Sequence, residues 1–237
     1  MIPKDLRDYL DNLNSNYPNH RYIQECSDRG KKAVDDKIDS LLTSASKATG
    51  LVPEKLLKAL DFDKRDFDGE RIQSLFAVLR TINILTTQYG FSEITPLRRK
   101  LKQREADLLG THERIKFAVE VARSSDQAFR LAGANLNRYI KELWERKENQ
   151  IRSSMVSNKC ERGILVIVLD SEPVRSDLVL EINPPFPKWI SLSGAVELAY
   201  HNISDPIHIH LLLSTGFESS GQAEVAIFPP LSKTETI

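Results

Sequence analysis

Cysteine is almost absent: Cys26 and Cys160 are the only two in 237 residues, and they stand in unrelated contexts. That count excludes a disulfide framework and a zinc ribbon, and it fits a reducing compartment. Long apolar runs are missing as well. The longest, Ile164–Leu169, is far too short to span a bilayer, and the N-terminal MIPKDLRDYLDNL lacks the apolar stretch of a signal peptide. A cytoplasmic protein with no membrane partner is expected. Neither sign of charge is in excess, with 33 basic and 33 acidic side chains. This excludes whole-chain attraction to nucleic acid or lipid and leaves room only for a local patch. There is no glycine-rich phosphate loop, and Ser191 and Ser193 in SLSGA lack the Gly-x-Ser-x-Gly elbow of a hydrolase triad. What is present, 41% hydrophobic and 28% charged residues, is ordinary globular usage with ample length for a core.

Charge is unevenly distributed. Residues 61–160 carry 19 basic and 14 acidic side chains, whereas residues 161–237 carry 4 and 10. The sharpest run is PLRRKLKQR, with Arg98, Arg99, Lys100, Lys102 and Arg104. Such a block reads either as a solvated face or as a ridge that contacts the phosphates of DNA.

Periodicity divides the chain into a helical region, 1–68, and an α/β region, 69–237. Helices are expected over Pro3–Asn14 and about Asp28–Ala48, with a shorter one from Pro53, and the charged connector DFDKRDFDG closes the region. Glu70–Tyr89 then reads as an amphipathic helix with Gly90 as its C-cap. Extended stretches follow at Phe91–Leu97 and Leu101–Leu109, with a turn at 110–113. Ile115–Ala122 (IKFAVEVA) is the clearest strand. A long helix is expected from about Gln127 to Ser153, capped by Ser124 or Asp126. Its alternating charges suggest a solvated face or one that packs a homodimer. Gly163–Asp170 reads as a strand buried on both faces. A Pro-rich loop (NPPFPKW), a helix at Ser193–His201 and the strands IHIHLLLST and AEVAIF complete the chain. His208 and His210 alternate in the first of these strands and so share a face, but without a third ligand.

Two acidic residues in the central strands point to chemistry. If EADLLG and IKFAVEVAR form a hairpin, Asp107 and Glu120 both lie at the end away from the turn. Neighbouring carboxylates repel, and a hard divalent cation relieves the repulsion. A lone Glu within an apolar strand must pair or bind something. Glu70, at the start of the preceding helix, is either a third carboxylate or simply a first-turn Glu favoured by the helix dipole.

This order of parts resembles the PD-(D/E)xK nuclease superfamily, in which a helical Glu precedes a hairpin bearing Asp and then (Asp/Glu)-x-Lys, followed by a helix and another strand. The resemblance covers about residues 69–170. It implies a restriction-endonuclease-like core, a mixed central sheet flanked by helices, with an N-terminal helical appendage. It also implies Mg²⁺- or Mn²⁺-dependent hydrolysis of DNA phosphodiesters. By the same resemblance Asp107 and Glu120 hold the metal, Glu70 assists, and Gln127 takes a supporting polar position. Two positions depart from the pattern: Ala106 precedes Asp107 in place of Pro, and Ala122 stands where the Lys belongs. Arg123 is the nearest replacement cation, with Lys116, Arg130 and Arg104 as others. Two further readings stand beside the endonuclease: an inactive nucleic-acid-binding module of the same fold, and an interaction protein that assembles through its N-terminal helices.

Overall fold

The computed structural model describes residues 2–16, 21–65, 69–97, 105–124, 136–169, 177–180, 188–203, 205–206, 208–214 and 225–231. Five helices come first: α1 (Lys4–Asn16), α2 (Arg21–Arg29), α3 (Lys31–Thr49), α4 (Pro53–Ala59) and α5 (Gly69–Tyr89). The helix expected over about Asp28–Ala48 is α3, beginning three residues later, and α2 precedes it. Gly30 separates the two with φ 84, a conformation that only glycine adopts cheaply. α5 buries Ile72, Leu75, Phe76, Leu79, Ile82 and Leu85, and Gly90 follows it in the left-handed conformation expected of its cap.

A six-stranded mixed sheet forms the centre, in the order β1-β2-β3-β4-β7-β8. β1 (Ser92–Pro96), β2 (Leu108–His112) and β3 (Ile115–Ser124) are an antiparallel meander. Helix α6 (Leu136–Ser157) then leads to β4 (Arg162–Leu169), which lies parallel to β3. β7 (Ile209–Ser214) is parallel to β4, and β8 (Val225–Phe228) closes the edge in the antiparallel sense. β5 (Asp177–Leu180) and β6 (Lys188–Ser191) pair in a separate two-stranded sheet, so part of the expected Pro-rich loop is strand. α7 (Leu192–His201) precedes β7. No helix among the described residues is long and apolar enough to cross a membrane.

The β2–β3 turn is displaced from its expected place. It is Glu113-Arg114, with φ 49 and 68, a two-residue turn of the kind usually made by Asn-Gly. Gly110, which suggested a turn, lies within β2 opposite Phe117. It is small for packing: a Cβ there would meet Phe91 Cδ1 at 3.0 Å.

Side-chain alternation gives the sheet two apolar faces. Phe117, Val119, Val121, Ile164, Val166, Val168 and Leu212 share one cluster with buried residues of α1 to α5. Ala122, Leu165, Ile167, Leu211 and Leu213 face α6 and α7 on the other side. Ile164 to Val168 are buried on both faces, as the unbroken apolar run predicts.

The two histidines of IHIHL do not share a face. His208 precedes β7, exposed and with φ 62, whereas His210 is buried within the strand. The His210 Nδ1–H donates to the Pro229 carbonyl at 2.8 Å, and Nε2 faces Arg162 Nη1 at 3.3 Å. A carbonyl only accepts and a guanidinium only donates, so both contacts require the neutral Nδ1–H tautomer. Burial, with smaller contributions from Arg162 and His112, holds His210 below its ordinary value of 6.5, against the opposing pull of the Pro229 bond. The unfolded chain therefore takes up a proton below pH 6.5 that the folded chain refuses, and stability falls as pH drops through that window. His210→Asn can retain a donor without titrating. Unfolding free energies from urea titrations between pH 7.5 and 5 should fall more steeply for wild type, by up to about 1.4 kcal/mol per pH unit. Parallel curves would show that His210 is not the sensor.

Candidate functional site

The meander fixes the positions of the two carboxylates. The β2–β3 register runs from His112↔Ile115 to Leu108↔Val119, and Asp107 and Glu120 are the next residue on each side of its open end. Asp107 also spans the backbone on either side of Glu120: its N–H donates to the Val119 carbonyl at 3.0 Å, and its Oδ2 accepts the Val121 N–H at 2.9 Å. A carboxylate thus takes a carbonyl's place at the end of the ladder, and Asp107 keeps only 8% exposure.

Glu120 is fully buried, at 0% exposure, on the face covered by α6. Its Oε1 accepts from Lys147 Nζ at 2.5 Å, and its Oε2 accepts from Gln150 Nε2 at 2.7 Å. A buried carboxylate without such partners would carry a large desolvation cost. The Lys147 side chain retains 25% exposure. Helical spacing explains the contact. Ile140, Leu143, Trp144 and Ile151 form the buried stripe of α6, and Lys147 and Gln150 fall along the same side. α6 packs on the sheet with a Lys and a Gln on its inner side, while Lys141, Glu142, Glu145 and Arg146 on its outer side are exposed. Sequence reasoning placed Lys147 only among charges decorating the helix and did not single out Gln150. The signal available was that the interval from Lys147 to Trp144 and Ile151 matches one helical face.

The other expected residues are differently placed. Arg123 lies near the end of β3, partly exposed. Adjacent strand residues alternate, so a regular β3 turns it to the face opposite Glu120. Lys116 faces away from the carboxylate end and donates to the Asn158 carbonyl at 2.9 Å. Glu70 lies in the first turn of α5, the helix that covers the Phe117–Val119–Val121 face rather than the Glu120 face. Gln127, Arg130 and the run Arg98, Arg99, Lys100, Lys102 and Arg104 lie outside the described residues.

No family model, curated protein or solved structure matches the chain. The site must therefore be judged on its own donors. Among the described residues, no group of three or more His, Cys, Asp or Glu side chains is arranged to hold a metal ion. Carboxylates are the donor type that Mg²⁺ or Mn²⁺ takes, one or two at a time, with water and phosphate oxygens in the remaining positions. Zinc, which prefers His and Cys, has no such donors here.

Proposed function

We propose that the chain is a metal-dependent nuclease that hydrolyses DNA phosphodiesters on a restriction-endonuclease-like core. The observation that carries this reading is the ion pair between Lys147 and Glu120, at 2.5 Å. The family pattern requires a cation beside the second carboxylate, and Ala122 cannot supply it. Lys147 brings one from the following helix to the same carboxylate. The antiparallel β1–β2–β3 meander, the helix crossover and the parallel β4 also follow the family's order of parts.

In this reading Asp107 and Glu120 hold Mg²⁺ or Mn²⁺, which when bound activates water and offsets charge on the phosphate. Lys147 contributes a fixed positive charge toward the anionic transition state, where preorganised donors are most effective. Gln150 keeps Glu120 oriented by donating to its second oxygen. Arg98, Arg99, Lys100, Lys102 and Arg104 supply local attraction to the DNA backbone that the neutral chain as a whole lacks. Glu70 and Gln127 remain assisting residues by resemblance, while Lys147 takes the role first assigned to Arg123.

Nicking of supercoiled plasmid tests this. Wild type should nick in Mn²⁺ or Mg²⁺ and stop in a chelator. Asp107→Asn should remove cleavage, and Lys147→Ala should slow it by about 10²-fold or more, the usual loss for a transition-state donor. DNA binding without nicking at any metal concentration would reject catalysis and favour the inactive binding module. Absence of both would favour the interaction protein.

A further inference from the structure

The segment that carries Asp107 is suspended largely from a helix. The Gln150 amide donates twice through Nε2, to the Glu105 carbonyl at 2.5 Å and to Glu120 Oε2 at 2.7 Å. One helical turn on, the fully buried Ser154 hydroxyl accepts the Ala106 N–H at 2.6 Å. Leu97 then donates its N–H to the Asp107 carbonyl at 2.9 Å. Regular β2 pairing begins only at Leu108. Residues 105 and 106 therefore have α6 side chains as partners where a longer strand would have a ladder.

An amide NH₂ has two hydrogens, and here each has a different acceptor. One acceptor belongs to the chain entering Asp107, and the other is the Glu120 carboxylate itself. Rotating the Gln150 side chain would therefore move both candidate metal ligands. Ser154 removes a second freedom, because a buried N–H at Ala106 left without its acceptor would pull away in search of one.

We infer that Gln150 and Ser154 are positioning residues that set the placement of Asp107 against Glu120, so that α6 controls the affinity of the site for its divalent cation. This rests on the nuclease reading of the same carboxylates. Groups that orient metal ligands commonly change affinity by about 10–100-fold when removed.

The test is calorimetric titration of Mn²⁺ into the full chain. Gln150→Met keeps the length and removes both donations. Ser154→Ala removes the acceptor, and Ser154→Thr keeps it. Ile151→Val, on the same helix and buried, is a packing control that touches neither tether. Gln150→Met and Ser154→Ala should each weaken Mn²⁺ binding by about 10-fold or more, while Ser154→Thr and Ile151→Val stay within about 2-fold of wild type. If Gln150→Met loses thermal stability comparable to the control yet binds Mn²⁺ like wild type, the positioning role is wrong and the nuclease reading stands. If wild type itself takes up no Mn²⁺, the nuclease reading falls and the inference with it.

Discussion

Lys147→Met should cost about 3 kcal/mol of folding stability, and adding Glu120→Gln should recover most of it. Removing one partner of a buried ion pair leaves an uncompensated charge, typically at about 3–5 kcal/mol. The partial exposure of Lys147 puts this pair at the lower end, because water can approach where the ammonium was. The neutral amide in the double variant needs no counter-ion and can still accept from Gln150. Glu120→Gln alone should cost less than Lys147→Met, since a partly exposed ammonium can turn to solvent and a fully buried carboxylate cannot. For a chain of this length the expected loss corresponds to roughly 6–12 °C in melting temperature. A single variant within about 1 kcal/mol of wild type would mean that Glu120 reaches water without Lys147.

Gly163→Ala should destabilise by about 2–3 kcal/mol, the range for overpacking a filled core. A Cβ built at Gly163 meets Ile151 Cγ2 at 2.5 Å and Met155 Sδ at 3.2 Å. The methionine can bend away, but Ile151 Cγ2 is fixed close to the α6 backbone, so the helix itself must shift. Ile151→Ala removes the clashing methyl. The double variant should then be less destabilised than the sum of the two singles, a non-additivity expected of residues in direct contact. Strict additivity in urea denaturation would show that α6 does not approach β4 this closely. Because α6 also carries Lys147 and Gln150, Gly163→Ala should disturb the candidate site from a distance.

The fold was legible where one pattern dominated. Ile164 to Val168, apolar without a break, reads as a strand buried on both faces, and it is one. The α5 stripe and its Gly90 cap were equally direct. Errors arose where a residue had two uses. Gly110 suggests a turn, yet it is small because Phe91 packs over it, while the turn falls on Glu113 and Arg114, which carry no turn signature. Gly30 had the opposite effect: it falls within the expected start of a helix yet separates α2 from α3.

The candidate site divides in the same way. Sequence alone put Asp107 and Glu120 near the open end of a hairpin, although Asp107 lies just before β2 and the turn is Glu113-Arg114. It also determined that Glu120, a lone carboxylate among apolar neighbours, required a partner. It could not determine which partner. Lys147 is 27 residues beyond Glu120, and among the charges of KELWERKENQIR nothing in the string marks one Lys as facing inward. Only the packing of α6 across the sheet, fixed by Ile140, Leu143, Trp144 and Ile151 against β3 and β4, sets the helix rotation. That rotation brings Lys147 and Gln150 to Glu120 and Ser154 to Ala106.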